Sequence, residues 1–217
     1  IGVSALIERF YYPPDLYRGL FIEHQTLTGT EFVPFVGEPN LDNYDLVLSF
    51  RTPNSPRFSA NGFFVFGQDE NFDEWSSAYV VLWSSNLVFR PTEKLRAEWS
   101  YTRQQYLRKT DRTSARIRSL PRIKLEYQLT RDIFLRFVGE YDAVNVDALR
   151  DDGRTNNPLV RSDGYGGYER VLAQTHNNFG FDALFSYEPN PGTVVFAGYG
   201  STLTEQKSFR FHSLERR

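Results

Sequence analysis

The chain has no cysteine and no methionine. Without cysteine there is no disulfide framework, no thiolate metal site and no cysteine nucleophile. No run approaches the roughly 18 consecutive apolar residues of a membrane-spanning helix. Neither sign of charge dominates. The 25 Lys and Arg face 27 Asp and Glu, a formal net charge of −2, which argues against a general nucleic-acid binder. Helical periodicity is also missing, because no stretch repeats apolar residues at i, i+3, i+4 and i+7. The start at Ile1 carries no basic, then apolar, leader. That start, with no methionine in the chain, predicts a mature protein or an internal fragment.

Aromatic residues are plentiful, with 19 Phe, 13 Tyr and 3 Trp, which argues against disorder. They follow a period of two, the signature of half-buried strands. Tyr79, Val81, Trp83, Leu87 and Phe89 take the odd positions of 79–89. Leu95, Ala97, Trp99 and Tyr101 alternate with Arg96, Glu98 and Ser100. Ile123, Leu125, Tyr127 and Leu129 alternate with Arg122, Lys124, Glu126 and Gln128. Ile133, Leu135, Phe137 and Tyr141 alternate with Arg136, Glu140 and Asp142, and Phe179 to Tyr187 repeats the pattern around Asp182 and Phe185. Earlier, 44–51 alternates, 58–67 reads as a strand buried on both faces, and 1–11 and 16–26 read as strands around the turn 12–15. About ten strands result, in one domain over 1–217.

The connections alternate in length. Short ones fall at 12–15, 52–57, 90–94, 129–132 and 188–193, and long ones at 27–42, 69–78, 107–118 and 143–177. In an up-and-down meander every second connection lies on the same rim. One rim of tight turns and one of long polar loops is the asymmetry of outer-membrane barrels. The predicted fold is therefore an all-β, antiparallel, up-and-down transmembrane barrel.

Around the 129–132 turn, both strands carry apolar residues at odd positions, so paired numbers must sum to an even value. A sum of 262 sets Glu126 opposite Arg136 and Arg122 opposite Glu140. A sum of 260 sets Lys124 opposite Arg136, a repulsive pair. The first register is expected. Arg96, Glu98, Arg122, Lys124, Glu126, Arg136, Glu140 and Asp182 would then form a charged ladder facing a wet lumen. Trp83, Phe89, Trp99, Tyr101, Tyr127, Tyr141, Phe185 and Tyr187 would face lipid, several of them as interfacial girdles. The same alternation with the apolar face inward would give a soluble ligand-binding barrel.

The segments LPRIKLEYQLTRDIFLRFVGEYD (120–142) and FDALFSYEPNPGTVVFAGYGSTLTE (181–205) resemble the C-terminal barrel of an outer-membrane family of unknown function. In that family a sandwich similar to carbohydrate-binding modules precedes the barrel. The resemblance spans about 83–205, and Tyr187 to Thr193 is its most specific piece. It implies a bacterial outer-membrane location, a fused N-terminal domain and a link to glycan handling, and it supplies no catalytic residues. The end at Ser213-Leu214-Glu215-Arg216-Arg217 lacks a closing aromatic strand, which predicts an incomplete barrel.

Catalytic and ligand-binding patterns are sparse. His24, His176 and His212 stand apart, with no metal-ligand spacing. There is no G-x-S-x-G elbow. Glu98, Glu126 and Glu140 each have a basic neighbour, so ion pairing is favoured over glycosidase chemistry. Asp147, Asp151 and Asp152 in the long 143–177 loop are hard oxygen ligands of the kind Ca²⁺ takes, although the spacing is not that of an EF-hand. The Gly/Tyr run Gly164 to Tyr168 reads as an aromatic loop. Arg108, Lys109, Arg112 and Arg116 read as an external basic loop that is solvated or pairs with outer-leaflet phosphates. The expected function is a pore, a transport channel or a membrane anchor, with outer-membrane lipid, small solutes or glycans, and proteins of a membrane complex as partners. A filled barrel without conductance and a barrel enzyme acting on lipid or glycan are the alternatives.

Overall fold

The structure, a computed structural model, describes residues 1–53, 55–205 and 215–216. The strands, in chain order, are β1 (Gly2–Tyr11), β2 (Leu20–Thr26), β3 (Gly29–Pro34), β4 (Asn40–Arg51), β5 (Phe58–Asn71), β6 (Ser76–Phe89) and β7 (Leu95–Leu107). They continue as β8 (Ser114–Gln128), β9 (Ile133–Val146), β10 (Leu159–Ser162), β11 (Tyr168–Arg170), β12 (Gln174–Asn190), β13 (Thr193–Glu205) and β14 (Glu215–Arg216). The fold is all-β. Among the described residues the helical structure is one short 3-10 turn, Pro14–Tyr17, and no helix is long and apolar enough to cross a membrane.

Ten strands form one antiparallel sheet in the order β1-β4-β5-β6-β7-β8-β9-β12-β13-β14. This is the wall. The other four form a small sheet, β11-β10-β2-β3, at one end of it. Between β8 and β9 the pairs Arg122–Glu140 and Glu126–Arg136 lie directly opposite, the register that charge complementarity selects.

The first third departs from expectation. The segment 20–26 does not pair with β1. It turns back at Leu27-Thr28 and pairs with β3, so the long 27–42 connection contains a strand. The partner of β1 is β4, with Gly2 opposite Ser49 and Tyr11 opposite Asn40. The 69–78 connection shrinks to 72–75, because Asn71 holds a tight turn. Its Oδ1 accepts from the Asp73 N–H at 3.1 Å, and its Nδ2 donates to Glu74 at 3.0 Å. The 143–177 connection holds β10 and β11. Local polarity hid these elements, since their apolar partners come from a sequence-distant hairpin.

The two rims differ, but less than expected: the 12–15 turn lies on the long-loop rim, 72–75 is as short as 129–132, and among the described residues only 12–39 and 147–173 are elaborated. Connections 52–57, 90–94, 129–132 and 191–192 share one, and 12–39, 72–75, 108–113 and 147–173 share the other. The buried apolar cluster sits at the second rim, built from Tyr12, Tyr17, Leu20, Phe35, Leu149 and Leu159 with their neighbours. Tyr17 meets Phe35 and Trp75 edge-on, at 5.5 and 6.3 Å between ring centroids. The small sheet and its loops are thus a packed cap.

Close strand approach requires glycine at 62 and at 67. A Cβ on Gly67 would lie 2.1 Å from the Tyr44 carbonyl oxygen, whereas one on Gly180 would meet nothing within 4 Å. Gly67→Ala should therefore destabilise the wall by about 1–3 kcal/mol, while Gly180→Ala leaves it unchanged. Equilibrium urea unfolding of both variants in detergent micelles checks this.

Candidate functional site

The wall has two chemically distinct faces. On one, five cations meet five carboxylates. Arg96 binds Glu126 at 2.7 Å and Glu98 at 2.9 Å, and Lys124 binds Glu126 at 2.7 Å. Arg122 reaches Glu140 at 3.5 Å, Arg136 reaches Asp182 at 3.1 Å and Arg118 reaches Asp142 at 2.8 Å. The expected ladder residues do share this face. The pairing is partly diagonal, because Glu126, although opposite Arg136, is taken by Arg96 and Lys124, which sends Arg136 on to Asp182. At the tight-turn end the same face opens into a pocket of about 680 Å³ lined by Arg57, Arg90, Lys94, Arg96, Glu93 and Glu126 among others.

The other face is apolar and uncovered. Trp83 is 44% exposed, Phe89 50%, Trp99 40%, and Tyr127, Phe185 and Tyr187 38–39%. Tyr101 stacks on Trp99 at 5.9 Å and is half-buried, as is Tyr141. The rows follow from the registers. Ile133 and Tyr187 lie opposite each other near the tight-turn rim, and Tyr141 and Phe179 lie opposite each other toward the capped rim. From Ile133 to Tyr141 is about 26 Å of strand. Beyond the second row the face turns polar, with Arg103 exposed. A groove of about 560 Å³ between Leu125, Phe137, Ala183, Phe185 and Tyr199 runs along this face.

The capped rim is organised by charge. Arg108, expected in a solvated basic loop, is instead fully buried, and so is its partner Glu74. The Arg108 Nε donates to both Glu74 oxygens at 2.9 and 3.1 Å. Its Nη1 donates to Asp147 at 2.7 Å and to the Thr113 hydroxyl at 3.1 Å, and its Nη2 to the Ala148 carbonyl at 2.9 Å. The correction has a physical cause. An arginine at a sheet end can be buried only where every donor meets an acceptor, and three connections supply those acceptors. Lys109 and Arg112 stay nearer the surface, with Arg112 3.6 Å over the Tyr79 ring, and Arg116 reaches Asp73 at 3.3 Å.

The three carboxylates expected to suit calcium serve the same network. Asp147 accepts from Arg108 and from Arg150 at 2.9 Å. Asp152 accepts the backbone N–H groups of Lys109 and Thr110 at 2.8 and 3.0 Å. Asp151 accepts from Arg154 at 2.6 Å and from the Thr155 hydroxyl at 2.7 Å. Each oxygen set is turned to protein donors. His24 meets the Asn157 amide at 3.2 Å, His176 is exposed on β12, and His212 lies outside the described residues.

Burial pushes the Glu74 carboxyl above its ordinary value, and Arg108 and the Arg150 backbone N–H draw it back only in part. Burial also raises Asp147, but the hydrogen bonds from Arg108 and Arg150 outweigh it and hold that carboxyl low. The Thr113 hydroxyl and backbone N–H, with Arg150, bring Asp111 down to about 2.

Composition and strand periodicity missed Glu74, Glu38 and Thr113. One signal was available. The acidic run Asp69 to Glu74 and the basic stretch Arg103 to Arg118 sit on neighbouring connections of one rim. The chain matches no known family model, and no curated protein or solved structure is significantly similar to it.

Arg108→Ala leaves the Glu74 carboxylate buried without its cation and should cost about 3–5 kcal/mol. Thermal unfolding in micelles, with Arg112→Ala as the near-neutral comparison, measures this. The lowered Asp111 and Asp147 give a defined pH window. Their stabilisation is full above the ordinary carboxylate value of about 4 and is lost as pH falls toward 2. The protection factor of the Thr113 amide, which donates to Asp111 at 3.0 Å, should fall over that window while those of the β8–β9 amides hold, and Asp111→Asn should weaken the pH dependence.

Proposed function

We propose that the chain is the wall of an outer-membrane β-barrel, with its apolar face against lipid and its charged face lining the lumen, and that it serves as a pore or as the anchor of a larger assembly. The observation that carries this reading is the uncovered apolar face. Aromatic and aliphatic side chains stay more than a third exposed along β4 to β13, while the polar face pairs its charges along β7 to β12. A continuous apolar surface of this extent calls for a covering phase, and lipid is the phase that matches a band bounded by two aromatic rows. The alternation of tight and elaborated rims supports the same reading, with the cap on the external side. The resemblance of 120–142 and 181–205 to outer-membrane barrels points to the same location. Closure would come from pairing the outer edges of β1 and β14 with each other or with further strands. The balanced charge of the ladder favours a lumen tolerant of small neutral solutes such as glycans over one selective for a single ion sign.

A filled lumen is the second reading. It is supported by the apolar patch of Val65, Leu82 and Val88 on the polar side of β5 and β6, with Val88 buried.

Refolding into lipid vesicles tests the membrane reading. Brominated acyl chains should quench Trp83 and Trp99 fluorescence, and Leu125→Arg, in mid-band, should lower stability by about 2–4 kcal/mol. Unquenched tryptophans in folded protein would overturn it. Planar-bilayer conductance then separates an open lumen from a filled one.

A further inference from the structure

We propose that Glu8, Asn43, Asp69 and Glu70 form a binding site for a hard divalent cation of the size of Ca²⁺, where the wall meets the cap. The carboxylate oxygens of Glu8, Asp69 and Glu70 come within 4.8 Å of one another. That is about the greatest separation of two oxygens bound to one ion at roughly 2.4 Å, the usual calcium distance. Three carboxylates so close repel one another unless a proton or a cation lies among them. Among the described residues, no Lys or Arg forms an ion pair with any of the three, in contrast to the paired ladder on β7 to β12.

A second, independent feature points to a ligand. Asn43 is 1% exposed, yet both its Oδ1 and its Nδ2 lack a hydrogen-bond partner. It stands directly opposite Glu8 in the β1–β4 ladder and, one residue on from the Tyr44–Gln68 pair, shares a face with Asp69 of β5. Leaving a buried amide unpaired costs free energy, and its oxygen would complete an all-oxygen ligand set around an ion. Tyr12, fully buried at the cap boundary, also has an unpaired hydroxyl, and it lies within electrostatic reach of Glu70 and Asp69. Glu8 is exposed while Glu70 is buried, so the group is open on one side and closed on the other. An ion can enter from the polar face and lock β1, β4 and β5 together beneath the cap.

The experiment uses the full chain folded in detergent micelles and reads ion binding, whereas failure of the membrane reading shows separately as unquenched tryptophans in lipid vesicles. Titration with Ca²⁺ to about 10 mM, above the weak range of extracellular calcium sites, should raise the thermal midpoint. Tb³⁺ should luminesce on excitation of tyrosine. The double variant Asp69→Asn, Glu70→Gln relieves the like-charge repulsion, so it should fold at least as well without metal and lose both responses. Asp182→Asn, in the paired ladder, should keep both. The proposal is overturned by the absence of a Ca²⁺ shift in the wild-type chain, or by an equal shift in the double variant.

Discussion

Arg108 and Glu74 are a buried ion pair at the end of a sheet, and the four connections of one rim are arranged around them. Arg108 opens the 108–113 connection, Glu74 lies in 72–75, and Asp147 and Ala148 belong to 147–173. The 12–39 connection joins through Glu38, whose N–H donates to the Trp75 carbonyl at 3.1 Å and whose carboxylate accepts from Ser77. Desolvating both charges is expensive, and in general such pairs contribute little net stability relative to an apolar pair. What the pair supplies is geometric definition. A guanidinium whose donors are all engaged has one orientation, so the connections that supply its acceptors have one arrangement. The small sheet and the apolar cluster of Tyr17, Phe35 and Leu159 are then built on a fixed base.

This constraint accounts for the uneven distribution of packing. Among the described residues the wall has only scattered buried apolar positions, such as Ala60, Val80 and Val88, because one face carries charges and the other is uncovered. Its cohesion is in the ladders of backbone hydrogen bonds and in cross-strand pairs such as Arg122–Glu140. The chain's apolar core is concentrated at the capped rim instead. A wall of this kind is stable where the apolar face meets hydrocarbon, since water cannot compete there for the backbone groups.

Much of the wall was legible in the sequence, for a physical reason. Period-two alternation survives wherever the two faces of a strand meet different surroundings, as on β7 to β9 and β12. Charge complementarity was then enough to choose the β8–β9 register between two candidates. The cap was not legible. Strands β10 and β11 are short, and the strand that joins them to the rest of the small sheet, β2, lies more than a hundred residues away in the chain, so no local period marks them. Arg108 was misread for a related reason. A basic loop is normally solvated, and only the neighbouring acidic turn, read together with it, announces burial.

The polar face divides into two halves, and the division bears on where solutes would act. On β7 to β12 each charge of the ladder has a partner, and the five cations and five carboxylates balance. Charges spent on one another define structure and leave little field for a passing solute. On β1, β4 and β5 the same face carries Glu8 and Asp69, with Glu70 beside them and no paired cation among the described residues. The unspent charge is therefore collected on one side of the face, beneath the cap and against the buried, unpaired Asn43. A paired half that holds the wall and an unpaired half that meets ions is a division of labour that follows from which carboxylates found an arginine or a lysine.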